Sequence, residues 1–557
     1  MKIAWRISGA GYRLRRITGR SVLHALARPI FAIGLYRGTL NGRRTSAGGF
    51  APSESWPGDA TRGAAIIQGE LPFCGETVKG ATPPWEAMGS SPRWRAEANG
   101  FDWIRDLRAV GGDSARTAAR ALVKSWIDTQ VSWRPIPWRA DVLGARISNW
   151  IGHGEFLLAG ADEAFVAAFH DSIGRQARHL GRAFGLTAPG ADRIVALKGL
   201  IFASLALAGQ RKRLGRWLAK LDEELSRQIL GDGGHIERSP AVQLSVLRHL
   251  VDIRASLREA QEEIPAGLQT AIDRMAPMLR FFRHGDGGLA LFNDSDEAEG
   301  WLIDVVLTRA EARGKPLESA PHTGFERLNL NRTLLIMDCG APPPVEYDRH
   351  AHAGTLAFEL SVGKERMIVN CGAHPGGDPA WRDAQRTTAA HSTVTVEDVN
   401  SAELLPAGGL GYRPAHAGAE RREADGAIWI DARHDGYLRS FGLIHRRRLY
   451  VAPGGGDLRG EDTLDGPGER KFTVRFHLHP AVKASLVQEG SGVLLRLPGG
   501  AGWRFRAAGG VTSLQESVYL GSRGEVRRTE QIVVSSATQA GQGQVKWALT
   551  RMQTAGK

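Results

Sequence analysis

From Phe101 to about residue 313, apolar positions recur at a helical period. Leu214, Trp217, Leu218, Leu221, Leu225 and Ile229 fall three or four residues apart and draw one stripe down a helix. The same rhythm predicts helices over about 113–129, with Asp113 as N-cap, and over 141–159, 162–185, 192–209, 240–261, 264–284 and 299–313. The connections are short and often hold Gly or Pro, so successive helices pair antiparallel, which suits an α/α toroid among other helical arrays. Residues 37–100 are rich in Gly, Pro, Ser and Trp and read as an irregular segment wrapping this domain. After Thr323-Gly324 the period becomes two. Leu356, Phe358, Leu360 and Val362 alternate with Ala357, Glu359 and Ser361, and further strands are predicted at 332–337, 394–396, 427–433, 447–451, 473–478, 493–497, 503–507 and 528–535. Many short strands between Gly, Pro and Asp turns predict an antiparallel β-sandwich. The chain therefore reads as an α+β multidomain protein with a lead-in (1–36), a helical domain (37–324) and a sandwich (325–557).

Composition sharpens this only in places. A chain of 557 residues needs more than one core, and 42% hydrophobic with 24% charged residues excludes a disordered protein. The 15 Trp cluster early, where core filling is the ordinary role and stacking on sugars the special one. The net charge of +13 favours polyanions, and an acidic polysaccharide, a nucleic acid or an anionic membrane all fit; so does a merely Arg-rich proteome. Nothing resembles a helix-turn-helix, RRM or zinc-finger pattern, so no nucleic acid is expected. Cys74, Cys339 and Cys371 form neither a metal spacing nor a disulfide framework, although a Cys339–Cys371 bridge between neighbouring strands stays open. The first 36 residues mix Arg6, Arg13, Arg15, Arg16, Arg20 and Arg28 with apolar residues, either a peripheral membrane contact or a solvated lead-in. The apolar run 31–36 is too short for a signal peptide or a transmembrane helix.

Candidate chemistry gathers in polar clusters. Tyr347-Asp348-Arg349-His350-Ala351-His352 leads toward the strand at 355–362; on a strand His350 and His352 share a face, which suits an acid/base pair or a metal. His391 and Asn370 are placed to join His352, as a structural hydrogen-bonded cluster or as the ligands of a structural divalent ion such as zinc. In Asp232–Pro240 the glycines make a turn, Ser239 caps a helix with Pro240 at its first position, and His235, Glu237 and Arg238 remain on the loop. Asp192-Arg193 opens a helix, and Arg146–Trp150 offers Asn149 and Trp150.

These segments, with Phe101–Leu107, His434–Tyr437 and Phe476–Pro480, together resemble the heparinase II/III family from about residue 65 onward. The resemblance implies an incomplete α/α toroid packed on a β-sandwich, export to the periplasm or cell envelope, and β-elimination of a uronate-containing glycan between the domains, with no cofactor required. Arg, Asn or His neutralises the sugar carboxylate, a base removes the C5 proton, and an acid protonates the leaving oxygen. Carried onto this chain, the base and acid are sought among His235, His350 and Tyr347, with Glu237 beside them. Carboxylate and sugar contacts are sought among Arg193, Arg238, Asn149, Asp192 and Trp150. The Asn-His pair of active members stands here as Asp192-Arg193, and their Tyr falls on Val242 or Gln243. The main expectation is a divergent lyase whose His235, Glu237, Arg238, Arg193, His350 and His391 converge on one cleft. A non-catalytic glycan-binding or envelope protein on the same scaffold is the alternative, and hydrolysis by Glu237 and Asp192 as paired carboxylates the third.

Overall fold

A computed structural model of the chain describes residues 27–552, apart from 43–44, 55, 81–84, 86, 88, 375, 377, 407, 488–491 and 523–524. The arginines of the lead-in other than Arg28 lie outside the described residues. Three helices, Ala140–Gly152, Ala191–Ala206 and Pro240–Glu259, form the inner layer of the α/α toroid. Their near-continuous burial reflects sequences apolar on most faces. The first two meet at glycines: a Cβ on Gly144 would lie 2.6 Å from Ala196 Cα, and one on Gly199 2.6 Å from Gly144 Cα. The outer helices Glu163–Ala183 and Leu214–Gln228 bury one stripe only; in the latter it is Leu214, Trp217, Leu221 and Leu225, with Leu218 left half-buried. Ser239 caps its helix as expected, accepting from Val242 N with Pro240 in the first turn. Asp113 does not cap: Gly111, at φ +73°, precedes the helix Gly112–Thr129 and Asp113 sits in its first turn.

The stretch 37–100 is more ordered than its composition suggests. It holds the helices Ala60–Ile67 and Pro92–Gly100 and the hairpin β1 (Glu70–Phe73) and β2 (Glu76–Lys79). Trp56, Trp94, Trp103, Trp126 and Trp150 fill the helical core.

The last toroid helix, Gly300–Ala310, is followed by β3 (Ser319–Ala320), β4 (Phe325–Leu330), β5 (Thr333–Asp338), β6 (Phe358–Val362), β7 (Glu365–Val369) and β8 (Val394–Val396). Then come β9 (Ala417–Ala424), β10 (Ala427–His434), β11 (Ile444–Val451), β12 (Asp457–Asp465), β13 (Lys471–Leu478), β14 (Lys483–Val487), β15 (Gly492–Arg496), β16 (Gly502–Ala508), β17 (Val511–Tyr519), β18 (Arg527–Ala537) and β19 (Gln542–Arg551). One sheet runs β17-β18-β13-β7-β6-β5-β4-β3, with β8 on β13; the other runs β14-β15-β16-β19-β12-β11-β10-β9, and all pairings are antiparallel. The first sheet is a middle layer. On β5, Leu334 and Ile336 join the helical core while Leu335 and Met337 face the second sheet, so the strand is buried on both sides. All three cysteines are free. Among the described residues no helix is long and apolar enough to cross a membrane.

Candidate functional site

At the junction of toroid and sandwich, polar side chains from distant segments meet around Asp294. The loop carrying it passes through Asn293 and Asp294 at φ +47° and +61°, a conformation Asn and Asp tolerate better than most residues. The Asp294 carboxylate accepts from His350 Nδ1 at 2.7 Å, from Arg93 at 2.6 Å and from Gln385 Nε2 at 3.2 Å. Burial would raise its pKa; Arg93 and His350 outweigh that and hold it well below the usual carboxylate range. The ionised Asp294 only accepts, so His350 Nδ1 carries a proton and the neutral ring presents Nε2 as a base. Among the described residues that Nε2 makes no hydrogen bond, and 31% of the side chain is exposed.

Glu237 and Asp192 stand beside this pair. The helix Ala191–Ala206 begins after Gly190 (φ +109°), and Ala191 N donates to Glu237 Oε1 at 2.8 Å. Only glycine fits there, because a Cβ would lie 2.4 Å from that oxygen. Burial raises the Glu237 pKa, with His350 opposing. Asp192, raised by burial and by Asp141, pairs with Arg349 at 3.2 Å. Asp141 accepts from Nε and Nη2 of Arg139, each at 2.6 Å. The half-buried Tyr347 borders Gly190, and burial raises its phenol, keeping it protonated.

Three of the expected site residues thus come together, His350, Glu237 and Asp192, and the ring of Tyr347 borders them at Gly190. The others serve the fold. His235 is buried, its Nε2 2.9 Å from Gln228 Oε1, and desolvation pushes its pKa down to about 3, so it is no accessible base. Gln228 continues to Glu224, which pairs with Arg193 at 2.6 Å; Arg193 also donates to Thr187 O, which corrects its assignment as a clamp. Arg238 ties the domains together, donating to the carbonyls of Thr323, Gly324 and Ala341 and pairing with Asp338 at 2.5 Å. Asn149 donates to Gly100 O, and Trp150 is stacked with Phe169 in the core, so neither reaches a ligand. Gln243 holds the Gly233 turn rather than facing the site.

The histidines expected to share a strand face lie in a loop before β6. His350 turns to the Asp294 carboxylate and His352 to its backbone: Asp294 N donates to His352 Nε2 at 3.0 Å. His352 Nδ1 is 3.2 Å from His391 Nε2, and His391 Nδ1 is 2.7 Å from Thr387 O. A carbonyl only accepts and an amide only donates, so one assignment fits: each ring donates through Nδ1 and accepts at Nε2. Both imidazole lone pairs are occupied. Asn370 Oδ1 accepts from Ser392 N and its amide nitrogen donates to Glu359. His352, Asn370 and His391 therefore do not fit a metal, and among the described residues no group of three or more His, Cys, Asp or Glu is placed to hold one.

Sequence reasoning missed Asp294, Arg93 and Arg349 as site residues. The one available signal was the polar run Asn293-Asp294-Ser295-Asp296 directly after apolar Leu289–Phe292.

The chain matches the family descriptions Heparinase II/III N-terminus over residues 117–310 and Heparinase II/III-like, C-terminal over residues 312–548. It is 32% identical over 525 residues to FtsZ-localized protein C of Caulobacter vibrioides, covering 90% of this chain and 89% of that protein. Among solved structures it is similar to heparinase III, with a TM-score of 0.73 at 13% identity over 93% of this chain and 89% of that one. The heparan sulfate lyase HepC of Pedobacter heparinus gives a TM-score of 0.58 at 15% identity over 94% and 88%. At such identities the structural likeness is one of fold.

Proposed function

The chain belongs to the heparinase II/III-like family, and on that premise we propose that it is a divergent polysaccharide lyase cleaving a uronate-containing acidic glycan at the junction site. The observation that carries this reading is the His350–Asp294 pair, with Nε2 of His350 open among the described residues. In β-elimination, His350 Nε2 takes the C5 proton. The electron pair forms the C4–C5 double bond, the C4–O bond breaks, and the Tyr347 hydroxyl protonates the leaving oxygen. Arg349 meets the charge of the sugar carboxylate, and Glu237, whose pKa burial raises, stands beside it. The test is ultraviolet absorbance of the unsaturated uronate over a panel of heparan sulfate, chondroitin sulfate, hyaluronan, alginate and bacterial envelope glycans. Absorbance growing with wild type and absent with His350→Ala supports the lyase.

A second reading has its own support. Each arginine of the site is already neutralised from within: Arg93 by Asp294, Arg139 by Asp141, Arg349 by Asp192. The relative from Caulobacter vibrioides is also named for its localisation with FtsZ rather than for a reaction. The scaffold would then hold an acidic glycan of the cell envelope without cutting it. Silence across the panel, with glycan still bound, selects this reading.

A further inference from the structure

The second sheet has an outer face that no other layer covers. Strand alternation points its core residues at the middle sheet and the rest outward. Register aligns the outward residues in rows across the strands. Trp429 on β10 pairs with Tyr450 on β11, Tyr450 with Arg459 on β12, Arg459 with Ala548 on β19, and Ala548 with Arg506 on β16. The next row runs Asp431, Arg448, Glu461 and Lys546. All of these residues but Asp431 line a shallow depression of about 720 Å³. Trp429 keeps 36% of its surface exposed, although an apolar ring of that size normally finds cover. Its ring and that of Tyr450 lie 5.1 Å apart at 46°, and the Arg459 guanidinium lies over the Tyr450 ring, 5.8 Å from its centre.

We propose that this face is a second binding site, for the extended chain of an anionic polysaccharide, distinct from the junction site. It rests on the acidic-glycan reading above. Three features select a sugar polymer. Aromatic faces beside cations suit pyranose rings that carry occasional carboxylates or sulfates. Carboxylates are interleaved with the cations: Glu461 lies against Arg448 and Lys546, and Asp431 pairs with Arg446. Such acceptors take sugar hydroxyl donors and repel the uniform charge of a phosphate backbone. Apolar side chains standing proud of the face, which a lipid surface requires, are few; Trp429 and Ile444 are its exposed large hydrophobics on β10 and β11. From β10 to β16 the row crosses five strands, roughly 19 Å at the usual strand spacing, the reach of a short oligosaccharide.

The experiment compares full-length wild type, Trp429→Ala/Arg506→Ala, Lys546→Glu and His350→Ala on immobilised polymers of the same panel and on tetrasaccharides cut from them. The side chains of Trp429, Arg506 and Lys546 point to solvent, and thermal melting confirms that each variant is folded. The site predicts that the double variant and Lys546→Glu lose polymer affinity by roughly tenfold or more, with tetrasaccharide turnover unchanged. His350→Ala keeps polymer affinity and loses turnover. Wild-type polymer affinity in both face variants overturns the second site and leaves the junction reading standing. Tighter wild-type binding to double-stranded DNA or to phosphatidylserine vesicles than to any polymer overturns the choice of ligand. A wild type that holds no polymer of the panel overturns it as well.

Discussion

His350 and His352 are two residues apart and chemically alike, yet their surroundings give them different work. His352 is closed in, its Nε2 filled by a backbone amide and its Nδ1 committed to His391, and burial drives its pKa well down. His350 has one nitrogen fixed by Asp294 and the other free among the described residues. Replacing Asp294 with Asn keeps the shape but removes the charge that steadies a protonated His350. We expect the kcat of Asp294→Asn to fall by roughly 10²-fold or more, within the usual reach of general acid–base catalysis, with KM little changed. The pH–rate profile should change with it, because the charge facing the imidazole is gone. An unaltered profile together with an unaltered kcat would remove His350 from the proton-transfer step. Gly190→Ala tests the other side of the site. Its Cβ would displace Glu237 and strain the backbone at φ +109°, so KM for an acidic substrate should rise and the melting temperature should fall.

The helices and strands were legible because their apolar periods differ and each is enforced by a core. The helix predicted at 240–261 is Pro240–Glu259, and the strand predicted at 427–433 is Ala427–His434. Strands such as β9, with its polar and half-exposed faces, carried too little alternation to be seen. The site was half legible. His350, Glu237, Asp192 and Tyr347 stand in polar motifs that the fold leaves open, whereas His235, Arg193 and Arg238 stand in equally polar motifs that the fold consumes. Periodicity cannot separate the two cases, because the deciding partners lie far off in the chain: Glu224 for Arg193, Asp338 for Arg238 and Gln228 for His235. Asp294 stayed hidden for the same reason, as its partners Arg93 and His350 lie 201 and 56 residues away. Arg238 itself, in the loop between two toroid helices, is the joint of the two domains. Arg238→Ala would strand Asp338 in the interior and leave several carbonyls unmet. A loss of about 3–5 kcal/mol is expected, read by urea denaturation as an earlier transition that splits into two. A single transition at the wild-type midpoint would show that the joint lies elsewhere.

At the scale of the whole molecule, histidine burial sets an acid limit on the fold. His235 and His477 are pushed down to about 3, and His153, His179 and His391 to about 4, each chiefly by desolvation. In the unfolded chain all five protonate near the ordinary histidine value of about 6.5. Between about pH 6.5 and pH 4 the unfolded state therefore binds protons that the native state refuses, and stability falls as pH falls. Each group contributes about 1.4 kcal/mol per pH unit once well below its unfolded pKa. The raised carboxyls of Glu237, Asp192 and Asp338 act in the opposite sense, since the native state holds their protons more tightly than the unfolded chain does. The histidine effect begins higher in pH, because the ordinary histidine value lies above that of a carboxyl. The melting temperature at constant ionic strength should thus drop steeply from pH 6.5 to pH 5, with both domains affected, because His153, His179 and His235 sit in the toroid and His391 and His477 in the sandwich. A flat profile over that interval would mean that these rings are charged in the folded protein, and the neutral assignment of the His352–His391 pair would fall with it.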